Sequence, residues 1–302
     1  MSGACFDPIG TIRLGRVTVS RFIVGHNPPS GNSHIDEAAN ADMRAYFTAE
    51  NVLKLYQQAE GLGVRTLMIR GDYTMLHWLE LYRRGGGRMN VIAQTASEMH
   101  DIFQNIRVMA TAGVEAVYHH GTQTDKFWRL GQIARTRDYL KCMRDCGVAV
   151  GLGTHQPEII DYAQQHGWDV DFYMASLYNL SRVPRESSVV TGRSAYDQEI
   201  YLDEDRDNML RTIAGANKPA LAFKLLAAGR KCANQDTVRA AFAYTISRLR
   251  ACDGIVIGLF PKYVDQVKLD LEHAAAAGLA QEQQCGQAAR PAAGGTSAAG
   301  MV

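Results

Sequence analysis

The chain has 302 residues and a formal net charge of +1, from 32 Lys and Arg against 31 Asp and Glu. That balance, with no basic arm or aromatic-basic stripe, argues against a dedicated nucleic-acid binder and gives no strong hint of a partner. No apolar run approaches the roughly 20 residues of a membrane-spanning helix, and MSGACFDPIG lacks the charged-then-apolar grammar of a secretory signal, so a cytoplasmic protein without membrane contact is expected.

In chain order, TIRLGRVTVS alternates about a Gly-Arg centre, which predicts a β-hairpin within residues 1–20 that could plug the bottom of a barrel. From Arg21 onward strand-like and helix-like stretches alternate, with strands predicted near 21–26, 64–70, 89–94, 115–120, 148–154, 170–178, 219–225 and 254–259. The intervening helices show start and stop signals. Thr48 is a candidate N-cap with Gly63 as its stop; Ser97 to Ala112 precedes Gly113, and Thr136 to Cys146 precedes Gly147. Pro157 opens a helix that ends at Gly167, and two more span Asp205 to Ala216 and Asp236 to Arg250.

None of the six cysteines forms a CxxC pair, so a zinc ribbon or disulfide framework is not expected, and Cys142 and Cys146 read as structural thiols on one helix face. Eight strands alternating with helices predict an α/β fold, a (β/α)8 TIM barrel over residues 21–280. A doubly wound open sheet is the competing fold, but no GxGxxG follows the first strand. The tail from 281 to 302 is Ala- and Gly-rich and is expected to be disordered. Two long connections, 26–47 and 180–204, fall on the strand C-terminal side, where loops cover sites.

Polar residues recur at the ends of the apolar runs: His26, Arg70 with Asp72, Gln94, His119 with His120, His155 and Lys224. In an α/β barrel those positions converge on the mouth that holds the active site. His26, Asp72, His120 and His155 make a candidate ligand set for a divalent metal, since imidazole and carboxylate suit Zn, Fe, Mn or Ni. His119 and His120 must face opposite sides of their strand, and the alternation slightly favours His119 as the inward one. His34, His77, His100, His166 and His273 are read as ordinary surface or core groups.

Arg70 and Asp72 share a strand face, which suits an internal salt bridge that orders the mouth and, compatibly, Arg70 gripping a carboxylate or phosphate while Asp72 acts as base or metal ligand. Lys224 lies in an apolar strand, and a buried lysine suits proton transfer or a Schiff base. Its alternative is a structural ion pair with Asp72 or Asp171. Arg230, after an Ala-Ala-Gly turn, is a candidate anion clamp, and Gln94, Tyr173, Tyr178 and Asn179 are candidate hydrogen-bonding groups at the mouth.

The hairpin followed by VSRFIVG, the stretch GVEAVYHHGTQTD and the stretch GVAVGLGTHQPEIIDYAQQHGWDVDFYMASLYNLSR together resemble the aldo/keto reductase superfamily over most of residues 10–275. The resemblance implies the barrel with its N-terminal plug, a catalytic histidine at His119 or His120, and NADP as cofactor. The chain departs from that family's tetrad. Gln94 stands where the third strand would end in Lys, Asp72 and Tyr73 are adjacent, Thr154–His155 replaces Ser-Asn, and GLFPKYVDQ replaces the Arg-rich adenosine-phosphate segment.

The leading expectation is therefore a barrel enzyme for a small, polar, anionic substrate using metal-assisted acid–base chemistry of lyase, isomerase or hydrolase type. Lys224, Asp72 and His119 or His120 would act as catalytic groups; Arg70, Gln94, Tyr178, Asn179 and Arg230 would hold the substrate. An NAD(P)H-dependent reductase with a rebuilt site and a non-catalytic ligand-binding barrel are the alternatives.

Overall fold

Patterning and turn chemistry place the first two strands. A computed structural model describes residues 7–184 and 196–288. β1 (Thr11–Leu14) and β2 (Val17–Ser20) pair antiparallel, with Leu14 opposite Val17. Gly15 makes the tight turn at φ +58°, and a Cβ there would stand 2.7 Å from Asp171 Cγ, so both backbone and space demand glycine. Ile12, Leu14 and Val19 pack into the same apolar cluster as the barrel interior, so the hairpin is a plug.

The barrel strands are β3 (Phe22–Gly25), β4 (Thr66–Arg70), β5 (Asn90–Gln94), β6 (Ala116–His119), β7 (Ala149–Thr154), β8 (Phe172–Ser176), β9 (Ala220–Phe223) and β10 (Gly254–Gly258). They pair in chain order, all parallel, and β10 pairs with β3 to close the barrel. Around them run α1 (Glu37–Tyr46), α2 (Ala49–Gly61), α3 (Tyr73–Arg84), α4 (Ile102–Thr111), α5 (Gly121–Arg129), α6 (Arg135–Asp145), α7 (Pro157–Gln165), α8 (Asp203–Gly215), α9 (Gln235–Ile246) and α10 (Gln266–Ala288). This is the (β/α)8 TIM barrel with an N-terminal hairpin that the alternation predicts.

Two apolar layers result from the two-residue period of the strands. Ile23, Met68, Ile92, Ala116, Tyr118, Phe172, Met174 and Leu221 fill the barrel interior. Their sequence neighbours, such as Val24, Leu67, Val91, Val117 and Tyr173, face the helices.

Helix boundaries obey local capping chemistry. The Thr48 hydroxyl accepts from Asn51 N at the start of α2, and Pro157 opens α7. α4 begins at Ile102 rather than Ser97, because Asp101 caps it by accepting from Gln104 N at 3.0 Å. The connection after β3 contains α1, capped by Asp36. α10 runs to Ala288, into the stretch from 281 that was expected to be disordered; residues 289–302 lie outside the described residues. Among the described residues no helix is long and apolar enough to cross a membrane.

Interior volume is the tightest constraint. A Cβ on Gly151 would lie 2.3 Å from Phe172 Cζ and 2.6 Å from Tyr118 Cβ. Gly151→Ala is expected to lower the urea unfolding free energy by about 1–3 kcal/mol. A change within error would mean that Phe172 can move aside without cost.

Candidate active site at the barrel mouth

Strand alternation and loop geometry together decide which polar residues reach the mouth. A cavity of about 60 Å³ lies at the C-terminal ends of the strands, lined by His26, Arg70, Gln94, His120, His155 and Lys224, with Asn27, Asn32 and His34 from the connection after β3. A larger chamber of about 400 Å³ adjoins it and shares His26, His34 and Lys224.

His155 comes directly after β7, and its Nδ1 lies 2.7 Å from Asp125 Oδ2. Asp125, on α5, is fully buried. It accepts hydrogen bonds from Thr154 Oγ1 at 2.6 Å, Ser181 Oγ at 2.5 Å and the His155 backbone N–H at 3.3 Å. These donors hold the carboxylate in place, and it in turn fixes the imidazole with its proton on Nδ1, an assignment made from the partners. Nε2 is then the basic ring nitrogen.

A second chain of side chains meets Lys224. Its Nζ lies 3.0 Å from His34 Nε2, and His34 Nδ1 lies 2.7 Å from Glu199 Oε1. Tyr201 donates to Glu199 Oε2 at 2.9 Å. The carboxylate places the His34 proton on Nδ1, so Nε2 accepts from Lys224. Asn27 Nδ2 and Asn32 Nδ2 also approach that nitrogen, each at 3.3 Å. Lys224 and His34 both have left-handed backbones, φ +66° and +60°, a conformation that costs a bulky residue about 1–2 kcal/mol and that gathers at functional sites.

Other expected site residues stand elsewhere. Asp72 does not turn inward: the chain leaves the barrel at Gly71, and Asp72 caps α3 by accepting from Met75 N at 2.9 Å. His119 faces the helices, because Ala116 and Tyr118 take the interior positions of β6. Its ring stacks on Tyr139 and Phe127, and its Nδ1 lies 2.8 Å from Thr124 Oγ1. His120 is the histidine of the pair that lines the mouth. Tyr173 and Tyr178 lie in the outer core. Asn179 orders its own turn, its Oδ1 accepting from Ser181 N at 3.0 Å.

Arg230 stacks its guanidinium 4.1 Å from the Tyr201 ring centre and donates to His34 O at 3.1 Å, so it buttresses the His34 loop. Arg70 is fully buried, ion-paired with Glu98 and, at 3.6 Å, with Asp72; it also donates to Gln94 Oε1 at 3.4 Å. The expected Arg70–Asp72 ion pair is thus present, while Arg70 also lines the mouth.

The expected metal set is therefore not assembled. With Asp72 capping α3, no group of three or more His, Cys, Asp or Glu side chains among the described residues is placed to hold an ion. His34, Asp125, Ser181 and Glu199 escaped sequence reasoning. His34 carried one usable signal, its place in a long connection on the strand C-terminal side.

Burial, with Arg70 and Lys224 nearby, pushes the His26 imidazole down to about 3, and burial takes His119 down to about 4. Both are neutral when folded at pH 7, whereas the unfolded chain takes up a proton near pH 6.5. Their contribution to stability is thus full above pH 6.5 and is lost as the pH falls toward the folded values. From pH 7 to 5, the unfolding free energy should fall by up to about 2 kcal/mol per histidine. His26→Gln and His119→Gln should each flatten that slope in urea titrations. Equal slopes in all three proteins would assign acid unfolding to other groups.

Neither a protein-family model nor a curated protein sequence matches the chain. Solved structures do match it. An aldo-keto reductase from Bacillus halodurans, in its holo form, is similar at 10% identity and a TM-score of 0.57, over 91% of this chain and 95% of that one. Dihydropteroate synthase from Yersinia pestis is similar at 11% identity and a TM-score of 0.52, over 90% and 98%. A 3-dehydroquinate dehydratase from Geobacillus kaustophilus gives 11% and 0.50, over 90% and 97%. These likenesses show the barrel fold, which here spans a reductase, a synthase and a dehydratase, so the chemistry has to be argued from the site.

Proposed function

We propose that the chain is a barrel enzyme that moves protons on a small, polar, anionic carbonyl compound, with His155 as general base. The observation that carries this reading is the Asp125–His155 pair. A fully buried carboxylate orients one imidazole nitrogen, and the same ring lines the mouth. Removing a proton next to a carbonyl sends the electron pair to the carbonyl oxygen, where Lys224 can donate a hydrogen bond. Returning the proton at another carbon gives an isomerisation; departure of a β-substituent gives a lyase reaction. His26, neutral at pH 7, and Gln94 supply uncharged hydrogen bonds, and a substrate carboxylate reaching Arg70 competes with Glu98.

This chemistry uses His155 and His26 without a metal: of the expected four-ligand set His26, His120 and His155 line the mouth, whereas Asp72 caps α3. A nicotinamide dinucleotide also fits poorly. Among the described residues Lys224 is the one Lys or Arg lining the larger chamber, while Asp270 adds an acidic group, and a pyrophosphate needs several donors or cations. The reductase reading therefore has the likeness in fold but not the charge pattern.

The test is exchange of α-protons of short 2-oxo and 3-oxo acids in D2O, monitored by NMR with chelator-treated protein and no added nucleotide. His155→Gln is expected to slow exchange by about 100-fold or more, and Asp125→Asn by about 10- to 100-fold. Activity that disappears on chelation and returns with Zn or Mn would overturn the metal-free reading. NADPH-dependent carbonyl reduction would favour the reductase.

A further inference from the structure

The larger chamber contains a feature that the mouth chemistry does not use. It lies between the ends of β9 and β10, the connection after β3, and helices α9 and α10; Leu226, Val238, Phe260 and Leu269 are among its apolar walls, while Lys224 and His34 mark its side toward the mouth. Asp270, on the first turns of α10, lines it too. The residue is 6% exposed. No hydrogen bond or ion pair to any described residue satisfies its carboxyl group, and burial alone pushes its pKa up to about 7.

A carboxyl with no partner among the described residues, set beside apolar walls, is costly to ionise. A ligand with a complementary cation would repay that cost. An ammonium group brings up to three donors and one charge, and the surrounding aliphatic and aromatic walls take a hydrocarbon body. A volume of about 400 Å³ lies within the usual range of about 300–1,000 Å³ for small-molecule sites. A carboxylate or phosphate in the same place would face Asp270.

We infer that this chamber is a binding site for a small organic amine, its ammonium paired with Asp270 and its apolar body against Leu226, Val238 and Phe260. The site adjoins the mouth through His34 and Lys224 but does not depend on proton transfer by His155.

Calorimetric titration at pH 8 with cyclohexylmethylamine, cyclohexylmethanol and cyclohexanecarboxylate tests the assignment on the full chain. The amine is expected to bind at least about tenfold more tightly than the alcohol, and the carboxylate most weakly. Asp270→Asn should erase the amine's advantage. Val238→Trp, which fills the chamber and leaves Asp270 in place, should abolish binding of both amine and alcohol. His155→Gln should bind the amine like the parent chain, so failure of the proton chemistry and failure of this site are separable. Equal binding of amine and alcohol to the parent chain, retention of the preference in Asp270→Asn, or no binding of any probe at millimolar concentration would overturn the proposal. The comparison of amine with alcohol on the parent chain decides the matter even if a variant fails to fold.

Discussion

Pairing of β10 with β3, from Ile255 opposite Phe22 to Gly258 opposite Gly25, closes the sheet, and that closure governs both the core and the mouth. A closed parallel sheet has no edge to protect and a fixed internal volume. Each strand must send every second side chain into that volume, so Ala116, Ala149 and Gly151 make room for Tyr118, Phe172 and Met174. The hairpin β1–β2 fills the lower opening. The upper opening is left to the strand ends and their loops, which bring polar side chains into a shared concave space.

At that opening Lys224 steps out of the strand period. Leu221 and Phe223 are the interior side chains of β9, so continued alternation would send Lys224 outward. Its left-handed backbone turns it into the mouth instead, where it meets His34, itself left-handed. Such conformations persist only when neighbours over-determine them. Glu199 and Tyr201 from the connection before α8, Asn27 and Asn32 from the connection after β3, and Arg230 beyond β9 supply those contacts. A strained lysine held in this way is preorganised rather than adaptable.

Two buried carboxyl groups show opposite solutions to the cost of desolvation. Asp125 receives hydrogen bonds from Thr154, Ser181 and His155 and is held in one orientation inside the protein. Asp270 receives none from the described residues. The first arrangement is complete without a ligand, as an orienting group must be. The second is incomplete, which is a property of a recognition group rather than of a structural one.

Patterning alone determined the barrel, its plug, the strand spans and the idea that polar strand ends gather at one rim, because periods of two and 3.6 residues and Gly, Pro and Thr punctuation act locally. His26, Gln94 and His155 were legible for that reason; Lys224 was legible as a polar residue at a strand end, but its left-handed backbone is what turns it inward. The tertiary structure decided the rest. Whether His119 or His120 faces inward depends on which residues of β6 the closed barrel accepts, and Asp72 was lost to the mouth when the chain turned into α3. Asp125, Ser181, His34 and Glu199 come from separate loops and helices, and no spacing along the chain records that they meet. Their positions are set by packing across the barrel, a physical relation that begins only when the sheet closes.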